Sequence, residues 1–533
     1  MANRNKKHVW VNNEKNHIFI FDSGIGFYSD WFRVLKIILA TINAKWIHPS
    51  LALRLLKANL GSLESSCEIM EFALRQPLRE KVEPIIAARP DLLGLSVSIW
   101  NHRATVELLL ALEHAWAENP QNALAAQKPI VVLGGPEVSW LPPEAEIFRH
   151  ADYVIRGEGE ESFSELCFDA LKKKREETIS KNVIFINSGD TIVELDKLVS
   201  AYSLYTNEDL KRKLVYVEAS RGCPFACEFC QAAKNTSGSQ QVREFPLEPF
   251  LAEMGTLIDR GARTFKFLDR TFNLDINRAK RVMEFFLERI IAHNNSEAKS
   301  PRSEKPICVH FEMVPSRFPD ELKELIRRFP PGTLRLELGV QTFNTETRRL
   351  VKLSGDMAKE LETLAFLRRE SGAIVHADLI AGLPGEDFVS FGDGFDRLWK
   401  LISLKPSGGT ELPFNAIFEI QLGILKCLPG TPITRHNETH GMSYSDEPPY
   451  EVIETKALSR AELERIKNFS RFWELIVNRN SFPDLLQGFL IPEEPVFKKF
   501  MELSGSLLEH FGRNWGIDQN DLRLYLKTLL AGN

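Results

Sequence analysis

The chain has 533 residues, with 67 Lys and Arg against 72 Asp and Glu, 44% hydrophobic and 26% charged residues. A formal charge of −5 excludes a phosphate-neutralising protein, which needs a large basic excess, so nucleic acid is not an expected partner. At roughly 100 to 200 residues per domain the length predicts about three domains, each able to bury a core without disulfide staples.

The polar stretch 1–33 reads as an N-terminal extension outside the fold. Val34 to Ala40 reads as a buried parallel strand. Further strands are expected at Ser66 to Phe72, Asp91 to Ser98, Pro129 to Leu133 and Ala151 to Ile155, separated by helical spacing at Leu51 to Leu60 and Arg103 to Ala117. This alternation over 34–170 predicts a doubly wound α/β unit that binds its ligand at the carboxyl ends of the strands. Small and polar residues gather at those ends: Thr41 and Asn43, Ser96 and Ser98, Gly134, Gly135 and Glu137, and the loop Gly157-Glu158-Gly159-Glu160. Glycine there lets backbone approach a ligand closely, although each loop alone also reads as a tight turn.

A linker is expected over 171–212, beginning with the charged helix end Leu171 to Lys181. A second alternating series follows, with strands at Leu214 to Glu218, Thr264 to Leu268, Ile307 to Met313, Leu334 to Val340, Ala373 to Ile380 and Ile417 to Gly423. Helical stretches such as Leu247 to Arg260, Ile276 to Ala292 and Lys359 to Glu370 lie between them, predicting a full or partial parallel (β/α) barrel over 213–435. The region 440–533 has no strand pattern. Arg460 to Val477, Pro495 to Phe511 and Asn520 to Leu530 give a helical C-terminal domain. Phe469, Phe472, Trp473 and Ile476 share one helix side, either packed on the barrel or presented to a partner.

The seven cysteines are few and odd in number, which does not describe a disulfide framework. No apolar run approaches the roughly 18 to 20 residues that cross a bilayer, so a cytoplasmic protein without membrane contact is expected. Three cysteines fall in Ser220-Arg221-Gly222-Cys223-Pro224-Phe225-Ala226-Cys227-Glu228-Phe229-Cys230, a CxxxCxxC loop after an expected strand. Soft thiolates favour zinc or iron-sulfur iron. Structural zinc needs a fourth ligand, yet no histidine lies between His150 and His293 and the next cysteine is Cys308. A four-iron cluster on three cysteines keeps one iron open to a substrate or cofactor. A zinc knot completed by a distant residue, or three free thiols, stay open at this point.

This loop resembles the signature of the radical S-adenosylmethionine (radical SAM) enzymes. Phe267 to Asn273, Phe311-Glu312-Met313, Gly339-Val340-Gln341 and Asp378 to Glu386 resemble successive strand-end motifs of that fold, in the right order. The resemblance implies a 4Fe-4S cluster on Cys223, Cys227 and Cys230 whose open iron chelates S-adenosylmethionine. It also implies Phe229 backbone near the adenine, with Asp269, Glu312, Gln341 and the Gly382 turn around the methionine and ribose. An external one-electron reductant of flavodoxin or ferredoxin type is implied as well.

The N-terminal Rossmann-like unit resembles the cobalamin-binding domain that precedes many such barrels, with Thr41, Asn43, Ser96, Ser98, Gly134, Gly135, Glu137 and Gly157 at the corinoid-facing loops. The histidine-delivering DxHxxG pattern is missing: His48 stands in Ile47-His48-Pro49-Ser50-Leu51. Cobalamin is therefore expected without a histidine ligand to cobalt, with Trp46 or His48 near its lower face. No phosphate-cradling glycine motif occurs to favour a nucleotide instead. The tRNA methylthiolating subgroup needs three further N-terminal cysteines, and the first 212 residues hold Cys67 and Cys167 alone.

The leading expectation is a cobalamin-dependent methyltransferase acting on an unactivated carbon of a small-molecule or peptide substrate. A radical rearrangement, cyclisation or oxidation is the alternative on the same scaffold. A zinc-stabilised or iron-sulfur interaction protein is the alternative of another class. Glu411 and Asn415 are candidate substrate contacts.

Overall fold

The computed structural model describes residues 11–13, 16–18, 35–117, 128–173, 183–187, 193–233, 241–297, 305–403, 418–486, 488–491 and 494–531. Glu411 and Asn415 lie outside these residues, as does most of the charged stretch after Leu171. Val11–Asn13 and Asn16–Ile18 pair as a small antiparallel ribbon within the expected extension.

Six parallel strands form the first sheet: β1 (Ile37–Asn43), β2 (Cys67–Ala73), β3 (Leu92–Ser96), β4 (Ile130–Gly134), β5 (Tyr153–Arg156) and β6 (Ile184–Asn187), in the order β2-β1-β3-β4-β5-β6. All seven residues of β1 are buried, as a central strand covered on both faces requires. Strand β1 pairs with both β2 and β3, so the chain reverses its winding between β1 and β3 and opens a crevice at their carboxyl ends. Ser50 caps the following helix, Leu51–Ala58, accepting a hydrogen bond from the Leu53 N–H at 3.2 Å.

The expected linker is largely part of the fold. It supplies β6, which extends the sheet beside β5, and the helix Asn207–Arg212, closed by a capping box between Thr206 and Asp209. The Asp209 carboxylate also meets Arg54 of the first domain at 3.1 Å. Leu51 and Leu55 share one hydrophobic cluster with Tyr202, Tyr205 and the barrel core, so the two sheets are joined by continuous packing.

The second sheet holds β7 (Val215–Val217), β8 (Thr264–Phe267), β9 (Cys308–Met313), β10 (Leu334–Gln341), β11 (Ile374–Ala381) and β12 (Phe418–Ile424), parallel and in sequence order. This is a partial (β/α) barrel. Burial alternates along β10, with Leu334, Leu336, Leu338 and Val340 buried toward the helices and Arg335, Glu337, Gly339 and Gln341 toward the lumen.

The C-terminal region is helical except for a short ribbon, Ser443–Tyr444 with Val452–Glu454, where no strand was expected. Helix Arg460–Trp473 opens with a Ser459–Glu462 capping box. Its aromatic stripe is core: Phe469 and Trp473 pack on Phe395 and Trp399 of helix Phe388–Ile402, with ring centroids 5.1 and 5.7 Å apart. The alternative of a partner-facing stripe is thereby excluded. Among the described residues no helix is long and apolar enough to cross a membrane.

Candidate functional site

The cysteine loop leaves the barrel after β7. Ser220 and Arg221 pair antiparallel with Glu244 and Arg243, closing a small collar at the loop's entrance. Gly222 has φ +102°, and a side chain there would run into the Gln241 carbonyl, so the turn before Cys223 requires glycine. Cys223, Cys227 and Cys230 are free and half-buried. Burial, with the neighbouring Cys230 and Cys223 thiols, pushes the Cys227 thiol up to about 12, so the three sulfurs feel one another's charge. Among the described residues no three or more His, Cys, Asp or Glu side chains converge on a single-ion site. A soft three-thiol set on one short loop fits a multi-iron cluster in which three metal atoms take one thiolate each.

The barrel lumen beside this loop is strongly polar. Lys266 and His310 each lie 3.3 Å from Glu337, and the His310 contact followed by the Lys266 charge holds that carboxyl down to about 2. Glu312 stands 3.5 Å from Arg270, its carboxyl raised by burial. Gln341, at φ +67°, presents a buried amide oxygen with no hydrogen-bond partner among the described residues. Asp378 Oδ1 is likewise buried and without a partner. Burial and the nearby Glu337 and Glu312 push Asp378 up to about 8. These orphaned polar atoms on adjacent strands are the groups a polar ligand would satisfy. Asp378 was not singled out from sequence, although an acid at a lumen position of an apolar strand was a usable signal.

Two expected cofactor contacts are engaged elsewhere. Asp269 is buried and accepts hydrogen bonds from the Ala219 N–H at 3.0 Å and the Ser220 hydroxyl at 2.5 Å, so it shapes the collar. Burial raises its carboxyl to about 6. A side chain at Gly382 would meet Val452, so this turn seats the C-terminal ribbon. Phe229 packs against the barrel core.

A cavity of about 500 Å³ lies between the carboxyl ends of the two sheets. Ser96, Gly134, Gly135 and Gly157 line it from the first domain, and Glu218, Arg221, Leu268 and Arg270 from the barrel. It continues into an apolar slot between Leu39, Leu53, Gly94, Val132 and Phe163. Gly135 has φ +106°, and a Cβ would strike the Val97 carbonyl oxygen. The Ser139 hydroxyl donates to the Gly135 carbonyl at 2.8 Å and accepts from the Gly157 N–H at 3.1 Å, fixing both glycine loops. A glycine rim over an apolar slot fits a large guest with one polar and one greasy part, as a corrinoid is.

Thr41, Asn43, Ser98 and Glu137 stand behind this wall rather than in it. Thr41 donates to the Ser96 carbonyl at 3.3 Å, Asn43 to Glu71 at 3.3 Å, and the Ser98 N–H to Asn101 at 2.7 Å. Asn101, which sequence reasoning missed, is fully buried and also donates to the Ile42 and Ser96 carbonyls. His48 hydrogen-bonds Tyr216 of β7 at 2.7 Å and is held neutral-leaning by burial and then Lys45. Trp46 and Trp100 remain about half exposed on the rim.

Sequence reading also missed the ionic seam between the domains. Arg221 lies 2.6 Å from Glu160, 3.0 Å from Glu218 and 3.6 Å from Glu158, while Arg243 pairs with Glu158. Burial opposes the Arg221 charge, but Glu218 and Glu160 outweigh it and raise its pKa. Glu218 is nonetheless pushed up to about 7 by burial. Cavity wall and cysteine loop thus share Arg221, two positions before Cys223.

Comparison with known proteins agrees with this geometry. The B12 binding domain matches residues 36–167, the Radical SAM superfamily 217–397, and a protein of unknown function (DUF4080) 438–518. The cobalamin-dependent radical SAM methyltransferase TokK of Streptomyces tokunonensis is 23% identical over 60% of this chain and 46% of its own. The uncharacterized methyltransferase PH0819 of Pyrococcus horikoshii is 33% identical over 28% of this chain and 35% of its own. The chain therefore spans less than half the length of these curated relatives. The cobalamin-dependent S-adenosylmethionine radical enzyme OxsB, solved with aqua-cobalamin and S-adenosylmethionine bound, shares the fold at TM-score 0.59 and 15% identity, covering 94% of this chain and 75% of that one. With a B12-binding domain, a radical SAM barrel and a helical domain of unknown function in one chain, the protein belongs to the cobalamin-binding-domain radical SAM family.

Proposed function

We propose that the protein is a cobalamin-dependent radical SAM methyltransferase acting on an unactivated carbon of a small-molecule or peptide substrate. The observation that carries this reading is the shared cavity: one wall is the glycine rim of the B12-binding domain, the other the collar of the cysteine loop. Cys223, Cys227 and Cys230 would hold the 4Fe-4S cluster, and Phe229, Glu312, Gln341 and Asp378 would hold S-adenosylmethionine. Ser96, Gly134, Gly135 and Gly157 would hold the corrinoid. When bound, these groups supply one-electron carbon–hydrogen cleavage and a transferable methyl group, chemistry beyond any side-chain base.

The chain's own contribution is placement. Glu337, kept ionised by His310 and Lys266, fixes the charge of the lumen floor. Asp378, kept protonated toward neutral pH by burial, offers a donor to a ligand oxygen without adding a second negative charge beside Glu312. The helical domain covers the open edge at β12, where Ser470 donates to the Leu422 carbonyl at 2.9 Å and Asn478 to the Ile420 carbonyl at 2.9 Å. That cover limits water at the reacting carbon. The electron comes from an external flavodoxin- or ferredoxin-type donor, and the cytoplasm, with its reduced thiols, is the compartment that suits the site.

The test is anaerobic reconstitution of protein grown with a corinoid supply, followed by metal, corrinoid and product analysis. One corrinoid per chain, iron and sulfide without zinc, and paired formation of 5′-deoxyadenosine and S-adenosylhomocysteine are expected. Deoxyadenosine without S-adenosylhomocysteine in the presence of substrate replaces methyl transfer by rearrangement, cyclisation or oxidation. Zinc in place of iron removes the enzymatic reading altogether.

A further inference from the structure

We infer that residues 427–450 form a brace that holds the cysteine loop and the corrinoid-side loop in one register, with His436 and Tyr450 as its positioning residues. The inference rests on the cofactor reading above. It concerns the segment that runs from the end of β12 into the start of the C-terminal domain.

The segment leaves and re-enters the fold at one point, just beyond β12. The Cys427 N–H donates to the Tyr450 carbonyl at 2.9 Å, and Lys426 and Glu451 form an antiparallel bridge beside it. A closed excursion of this kind behaves as a unit.

On one side it grips the cysteine loop. Glu228, between Cys227 and Phe229, is 1% exposed. Its carboxylate meets His436 Nε2 at 2.8 Å and Arg435 Nε at 3.0 Å, with Lys352 Nζ at 3.4 Å from the barrel. Gln231, just after Cys230, donates to the Pro429 carbonyl at 3.0 Å. On the other side it grips the loop after β4. Tyr450 donates its hydroxyl to Glu137 at 2.6 Å, and Glu137, 2% exposed, also lies 2.9 Å from His102 Nδ1. Gly430 sits so close to Trp140 that a Cβ would enter the indole ring, and Trp140 lines the cavity.

Both loops thus carry one buried carboxylate, and the same excursion satisfies both. A buried carboxylate left without partners is costly, so each loop adopts its observed path where the excursion can reach it. The polar contacts are directional, which fixes position as well as proximity. Holding the two loops from one body sets the spacing between the cluster side and the corrinoid side, a quantity neither domain controls alone.

The experiment uses the full chain, reconstituted anaerobically, with three readouts: hydroxocobalamin titration by absorbance, the EPR signal of the reduced cluster, and the rate of iron loss to a chelator. Tyr450→Phe is expected to weaken hydroxocobalamin binding about tenfold, one charge-assisted hydrogen bond's worth, with iron content unchanged. His436→Gln is expected to alter the EPR signal and speed iron loss by about tenfold. Gly430→Val, which forces the excursion off Trp140, is expected to do both. Glu447→Gln, at the exposed Arg103 contact of the same segment, is expected to do neither. Should Gly430→Val not fold, as judged by circular dichroism, the two single-hydrogen-bond variants decide the matter. Wild-type-like values within twofold for both Tyr450→Phe and His436→Gln overturn the brace, as does an equal loss in Glu447→Gln. A wild-type protein that takes up neither cofactor overturns the underlying reading instead.

Discussion

The two parallel sheets are built from similar numbers of strands and put to opposite uses. In the first, β1 is buried along its whole length, so the strands offer a ligand only apolar surface such as Leu39, and polar contacts are confined to the loops at their ends. In the second, alternate residues of β9, β10 and β11 face a lumen and carry Glu312, Glu337, Gln341 and Asp378, so a ligand can be met along the strands themselves. The difference comes from covering: helices on both faces leave a doubly wound sheet dry, whereas closing a sheet part-way into a barrel leaves one face for polar side chains.

The contrast can be broken most severely at the cysteine loop. Cys227→Ser is expected to abolish bound iron and deoxyadenosine formation while hydroxocobalamin still binds, because the cavity wall and its seam are untouched. Loss of both cofactors in this variant would mean that the sheets do not hold them separately. Next in size is Gly135→Val, which strikes the Val97 carbonyl and strains the backbone, at a cost of about 1–3 kcal/mol. Corrinoid binding should fall more than tenfold, with iron content measured by chelation unchanged.

A third expectation concerns pH. Asp378, Glu218 and Glu386 are pushed up to about 8, 7 and 7 by burial, against about 4 in an unfolded chain. Over the interval between, the unfolded chain has released these protons and the folded one has not. Their contribution to stability is therefore complete below about pH 4 and lost as pH rises toward 7 to 8. The apo-protein's melting temperature should decline from pH 5 to 8, and Asp378→Asn should flatten that decline and raise Tm at pH 8 by about 2 °C. A steeper decline in the variant would reverse the assignment. The smallest effect belongs to the dry sheet: Cys67→Ala in β2 removes one buried sulfur and should cost about 1 kcal/mol in chemical denaturation, with both cofactors bound normally.

What could be read from sequence was local. The apolar run of β1, the alternation of β10 and the three-cysteine loop each declare themselves within a dozen residues. The sixth strand of the first sheet, Ile184–Asn187, is short and lies at an edge, so it was absorbed into a linker. Thr41, Asn43 and Ser98 were assigned to a ligand because polar strand ends usually face one; here the Ser96 carbonyl and Glu71 take the Thr41 and Asn43 side chains, and Asn101 takes the Ser98 backbone N–H. Arg221 and Glu160 are 61 positions apart, and Tyr450 and Glu137 313 apart, so no window along the chain could have paired them.

The composition of the cavity wall also dictates an order of events during synthesis. Leu39 through Phe163 supply one half, and Glu218 through Arg270 the other. A nascent chain that has released only its first domain owns an open ledge, with Glu158 and Glu160 still lacking Arg221 and Arg243. The complete cavity thus exists only once the chain has grown past Arg270, just beyond β8, which makes its closed form a property of the joined domains and not of the first-folded part.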